Sequence, residues 1–157
     1  LDRSSAASDV YKRQDLDLAV SQSKDNAVYY IQYAHARVNR MVDVKAPEKG
    51  IPFDRSKAAD YDATLLTLDA ETEILAKLAA YPEIVLRAAN SYEPHQVGNY
   101  LKELAALFHG WYNLDNTRII DEQNIALSQA RLLLSINVQQ VLRNGLELLG
   151  VSAPETM

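Results

Sequence analysis

Tyr30, Tyr33, Arg37 and Arg40 follow one another at spacings of three, four and three residues. On an α-helix turning about 100° per residue, that spacing places all four along one stripe. Solvated helix faces ordinarily carry Glu, Lys and Gln, whereas this one pairs flat phenol rings with guanidinium groups. The combination suits stacking on unpaired nucleobases with a cation to hold a phosphate, and each base–aromatic stack contributes about 1–3 kcal/mol. A competing account has both tyrosines packed on a neighbouring helix and the arginines merely solvated; the residue pattern alone leaves both open.

Other constellations offer less. The three histidines form no close i, i+4 pair and there is no cysteine, so a zinc or other metal site is not expected. His35 falls on the apolar stripe of its helix and reads as a hydrogen-bonded core residue. Gly145 and Gly150 have the gap of a phosphate loop but no following Lys, and read as a helix end. Asp69, Glu71 and Glu73 read as charges complementing a helix dipole, and no serine has a neighbouring base to activate it. The chain therefore offers no catalytic residue.

The elements that must position the stripe are helical. Gly and Pro number only 5 each in 157 residues, which disfavours an all-β design with frequent turns. The length suits a single core. No apolar run approaches the roughly 18 residues of a membrane span, so a soluble protein without membrane contact is expected. The absence of cysteine fits a reducing, cytoplasmic home. A net charge of −5 argues against binding DNA or RNA through a broad positive field, so any contact must be local and shaped.

Residues 1–14, Ser/Ala-rich and without period, read as a disordered or non-native lead-in, and Val10 to Gln14 resembles translated adaptor sequence. A helix begins after Asp25 or Asn26 as N-cap and runs to about Val44, where Pro47, Gly50 and Pro52 stop it. Its Val28, Ile31, His35, Val38 and Val42 face the bundle, roughly 150° from the tyrosines. Residues 45–68 form a loop whose Leu65, Leu66 and Leu68 return to the core. Asp69 caps the next helix, while Pro82 and Pro94 open two more. Val97, Leu101, Leu104, Phe108 and Trp111 make one apolar stripe. The last helix starts near Asp121, buries Leu127, Ala130, Leu134, Val138, Val141 and Leu148, and ends at Gly150. The fold class is all-α, a bundle of four to five helices.

The segment from Asp25 to Arg37, DNAVYYIQYAHAR, resembles the motif that opens the DALR-type anticodon-binding domain of arginyl-tRNA synthetases. Residues 15–25, beginning Asp15-Leu16-Asp17-Leu18-Ala19, look like the connection from the catalytic domain. Glu93-Pro94-His95, Asn99-Tyr100-Leu101, Phe108-His109 and Tyr112-Asn113 follow the family's central helix in order. The stretch from Val141 to Glu155, with the terminal Met157, resembles its C-terminal signature. Three positions depart from the pattern: Ala27 stands where Pro is common, Thr156 where Arg is usual, and Leu114 to Thr117 replace a cysteine-containing turn.

The resemblance implies that residues 26–157 form a helical domain gripping the anticodon loop of an arginine tRNA. Carried over position by position, Tyr30, Tyr33, Arg37, Tyr112 and Met157 are the implied tRNA-binding residues. The resemblance further implies a full enzyme that joins arginine to its tRNA, using ATP with magnesium in an N-terminal catalytic domain acting in cis. No HIGH-like or KMSKS-like signature is present, so this chain is expected to bind no cofactor and to be inactive alone. The readings from other classes are a free-standing helical interaction module docking a partner helix, and a small helical enzyme.

Overall fold

The computed structural model describes residues 26–115 and 118–157; the expected lead-in (1–14) and connection (15–25) lie outside the described residues. Asn26 opens helix α1 (Ala27–Arg40), its side-chain oxygen accepting from the backbone N–H groups of Val28 (3.1 Å) and Tyr29 (3.2 Å), which satisfies donors the helix cannot reach itself. The helix does not stop near Val44. It widens into a π turn (Met41–Lys45), in which the Ala46 N–H reaches back to the Met41 carbonyl, and closes with a short α2 (Ala46–Glu48). Pro47 is accommodated because it occupies the first turn of α2, where a missing N–H is tolerated. Gly50, at φ +67°, then turns the chain away.

The connection from 51 to 68 is folded into two 3-10 turns, Arg55–Asp60 and Ala63–Leu65, started by the carboxylates of Asp54 and Asp62. Leu66 returns to the core and Leu65 is half-buried, but Leu68 is exposed. Helices α3 (Asp69–Ala79), α4 (Tyr81–Ser91), α5 (His95–Tyr112) and α6 (Ile125–Leu148) follow. Asp69 is not the cap of α3: the Leu68 N–H is met instead by Glu71 Oε2 at 3.0 Å. Nor does Asp121 begin α6, since Asn124 caps it through the Leu127 N–H, while the Asp121 backbone bonds the Ser128 hydroxyl one turn in.

Helices α1, α5 and α6 pack mutually, α3 leans on α5 and α6, and α4 lies against α5. The stripe Val97, Leu101, Leu104, Phe108 and Trp111 is buried throughout and shares one core with Ile31 and Val38 of α1, Met41 of the π turn, and Leu134, Val138 and Leu142 of α6. Burying each large apolar side chain contributes about 1.5–3 kcal/mol. Val28 is exposed, because it lies at the outer end of α1, and Leu148, 60% exposed, projects from the last turn of α6. Glu71 does more than complement a dipole. Fully buried, it accepts from Arg131 Nε at 2.7 Å, and Arg131 Nη1 donates to the Arg118 carbonyl at 2.9 Å, so one ion pair ties the start of α3 to α6.

Gly145 is no helix end. It lies inside α6, where an added Cβ would stand 2.5 Å from Leu101 Cδ2; the missing side chain lets α5 and α6 approach. The helix ends at Gly150, φ +72°, with the Val151 N–H returning to the Leu146 carbonyl at 2.9 Å, the Schellman arrangement. Gly145→Ala is expected to destabilise the domain by about 1–3 kcal/mol through overpacking against Leu101, measured as a lowered midpoint in urea unfolding; Gly110→Ala, with open space around it, serves as the neutral control.

Candidate nucleic-acid interface

The outward stripe of α1 meets the C-terminal end of α5. Arg37 is the centre of the junction: its guanidinium carbon lies 4.8 Å from the Tyr33 ring centroid and 4.2 Å from that of Tyr112, so the cation is held between two aromatic faces. Nη1 donates to His109 Nδ1 at 3.0 Å and Nη2 to the Tyr33 hydroxyl at 3.3 Å. Because a guanidinium only donates, His109 Nδ1 must carry the lone pair; its Nε2–H faces the Tyr30 carbonyl at 3.4 Å. Burial, abetted by the charge of Arg37, pushes the His109 imidazole below its ordinary pKa, against the opposing pull of the Tyr30 carbonyl. A neutral imidazole is what this geometry needs.

The rings form a continuous surface. Tyr33 stacks on His109 (5.6 Å, 24°) and on Tyr29 (6.3 Å, 5°), while Tyr30 tilts against His109 at 4.7 Å. Lys45, carried round by the π turn, donates to the Tyr112 hydroxyl at 2.6 Å. Two clefts flank the Tyr33–Arg37 pair. One, of about 580 Å³, is lined by Tyr33, Arg37, Arg40, Lys45, Tyr112 and Glu155 to Met157. The other, of about 420 Å³, lies among Tyr29, Tyr30, Tyr33, Arg37, His109 and Asn113.

Charge is allocated unevenly. Lys49, Arg55, Lys57, Lys77, Arg87 and Arg131 each have a carboxylate within salt-bridge distance. Among the described residues, Arg37, Arg40 and Lys45 have none, and the nearby Asp43 already faces Arg55 at 3.6 Å. In an acidic chain, three cations without a carboxylate partner thus converge on the larger cleft, which makes it receptive to an anion.

Of the residues singled out from sequence, Tyr33, Arg37, Tyr112 and Met157 meet in the larger cleft. Tyr33 is 38% exposed. Tyr30 is half-buried and packs against the core, so it lines the smaller cleft; for this ring the packing account of the pattern holds in part. His109, Lys45 and Tyr29 escaped the sequence reading. His109 was signalled by its place one turn before Tyr112, and Tyr29 by adjacency to Tyr30. Lys45 gave no signal, since its approach depends on the π turn. Among the described residues no group of His, Asp or Glu could hold a metal ion, and no helix is long and apolar enough to cross a membrane.

Stacking rings around a cation, with further cations free of carboxylates beside them on a helical bundle, make a surface of the chemistry that suits unpaired bases. The DALR anticodon binding domain family matches residues 31–157, and the chain belongs to this family. It is 74% identical over 143 residues to an arginine–tRNA ligase of Acinetobacter baumannii (strain AYE), covering 91% of this chain and 23% of the relative. The corresponding ligase of Psychrobacter sp. (strain PRwf-1) is 53% identical over 151 residues, covering 91% of this chain and 24% of that protein. The chain thus spans about a quarter of the length of these curated relatives and corresponds to their anticodon-binding portion. A crystal structure assigned as an arginyl-tRNA synthetase from Campylobacter jejuni shares the fold, with a TM-score of 0.72 at 23% identity over 88% of this chain and 28% of that one.

Because folding favours the neutral His109 ring, its contribution to stability is complete above the ordinary imidazole pKa and is lost as pH falls toward its lowered value. Arg37→Ala removes one of the causes of that lowering, so the His109 titration followed by imidazole NMR should move to higher pH in the variant.

Proposed function

We propose that this domain grips the anticodon loop of an arginine tRNA as the recognition part of an arginine–tRNA ligase. On this reading, arginine is joined to tRNA at the expense of ATP, with magnesium, in a catalytic domain in cis that is outside this chain. The chain itself supplies recognition, works in the cytoplasm and takes no cofactor. The observation that carries the reading is the Arg37 guanidinium held between Tyr33 and Tyr112 beside the uncommitted Arg40 and Lys45. The names of the relatives support the choice of arginine tRNA.

Each group then has a task. Tyr33 offers an exposed face on which a splayed loop base stacks, and Tyr112 closes the opposite side. Arg37, already oriented by His109 and the two rings, presents its remaining N–H edge to a base or phosphate at little entropic cost. Arg40 and Lys45 attract the neighbouring phosphate, and Met157 forms part of the floor. Acidity elsewhere is no obstacle, because the favourable field is confined to the cleft within about one Debye length.

Tyr33→Ala should weaken binding of an arginine-tRNA anticodon stem-loop about tenfold or more, the loss of one stack, while thermal melting of the protein is unchanged. Unaltered affinity in a folded variant would remove Tyr33 from the interface. Lys45→Ala should lower the slope of log affinity against log salt by about 0.7–0.9 for one lost phosphate contact, read from fluorescence titrations across a salt series.

A further inference from the structure

Beyond Gly150 the chain has no helix, yet it lies along α1. Three side chains of that helix, one per turn, donate to successive parts of the extended tail. Gln32 Nε2 reaches the Ser152 carbonyl at 2.8 Å, His35 Nδ1 the Pro154 carbonyl at 2.9 Å, and Asn39 Nδ2 the Glu155 carbonyl at 3.2 Å. Positions 32, 35 and 39 share one stripe of the helix, and the tail runs parallel to it, so the last residues arrive beside Arg37 and Arg40.

The donors are themselves fixed. Asn39 Oδ1 accepts from Gln139 at 2.7 Å and from Arg55 at 3.0 Å, which leaves its Nδ2 pointing at the tail. His35 is fully buried, and its Nε2 faces Arg143 Nε at 3.4 Å. A guanidinium can only donate and a carbonyl can only accept, so the ring is neutral with its proton on Nδ1. Val151 and Ala153 pack against the core, Pro154 is half-buried, and Met157 is 52% exposed. With those apolar contacts ending at Ala153, hydrogen bonds to the Pro154 and Glu155 carbonyls direct the last residues.

We infer that Gln32, His35 and Asn39 form a clamp positioning the carboxy-terminal tail as one wall of the nucleotide cleft. The role in the cleft rests on the reading of the site as an anticodon-loop interface; the clamp itself does not. Arg143, donating to Nε2, fixes the tautomer that turns the Nδ1–H toward the Pro154 carbonyl. Burial is the largest influence holding the ring neutral, joined by Arg143 of α6 and Arg55 of the first 3-10 turn, while the Pro154 carbonyl and the Glu155 carboxylate of the tail favour the charged form. The net pKa is lowered, so the folded domain favours the neutral ring with its proton on Nδ1, the form the geometry shows. Gln32, His35 and Asn39 are positioning residues on this account, acting through the tail.

The chain contains just 2 methionines, Met41 in the core and Met157 at the tail's end, so methyl-labelled methionine gives an NMR spectrum with one internal reference and one tail reporter. Release of the tail would sharpen the Met157 signal and move it to its free-peptide position while Met41 stays fixed. Gln32→Ala, at a half-buried site, should release part of the tail at neutral pH, and the anticodon stem-loop affinity should fall about two- to tenfold, the effect of one lost hydrogen bond. His35→Asn retains a donor for the Pro154 carbonyl and should keep the tail docked. A Met157 signal indifferent to Gln32→Ala overturns the clamp. Release of the tail with unchanged RNA affinity overturns its role as a wall. If the wild-type chain binds no stem-loop, the interface reading fails, and the methyl spectra still decide whether the clamp exists.

Discussion

Arg37 is a half-buried cation with no carboxylate beside it among the described residues, and the organisation of the site follows from that constraint. A guanidinium withdrawn from water needs compensation. Here it comes from neutral groups: two ring faces, a phenol oxygen and an imidazole lone pair. A carboxylate would hold the side chain more strongly, but it would also cancel the field. Rings and a neutral histidine fix the orientation and leave the positive charge available to an incoming anion. This requires His109 to stay unprotonated, hence buried, and that burial depends on α5 packing against α1.

The same logic appears a second time. His35, like His109, bridges an arginine N–H to a backbone carbonyl, but with the ring reversed: Nδ1 carries the proton in His35 and the lone pair in His109. Each imidazole acts as a neutral relay whose tautomer is set by its neighbours, one organising the rings and the other the tail. The helices beneath supply rigidity. Leu101 seats against Gly145, and the Glu71–Arg131 pair fastens α3 to α6, so α3 and α5 are both held to α6.

Much of this was legible in the residues. The spacing of Tyr30, Tyr33 and Arg37 and the stripe from Val97 to Trp111 gave the two helices and the face that matters, because helical period alone decides which side chains share a surface. What escaped depended on tertiary context. The buried partner of Glu71 lies sixty residues away in Arg131, and no local pattern distinguishes such a carboxylate from one that faces a helix dipole. Gly145 looked like punctuation because the sequence does not display the neighbour it makes room for. The tail's hold on α1 joins segments at opposite ends of the domain, and its donors Gln32 and Asn39 are ordinary surface amides until the tail is laid across them.

The π turn between Met41 and Lys45 brings in one residue more than regular winding would, and everything after it on the rod is turned by about 100° relative to an uninterrupted helix. Lys45 owes its place beside Tyr112 to that offset. Anyone grafting this face onto another scaffold, or splicing the opening rod from a relative of different winding, must therefore transplant the irregular turn whole; an idealised helix bearing the same letters would aim its terminal ammonium at the wrong side of the barrel of side chains.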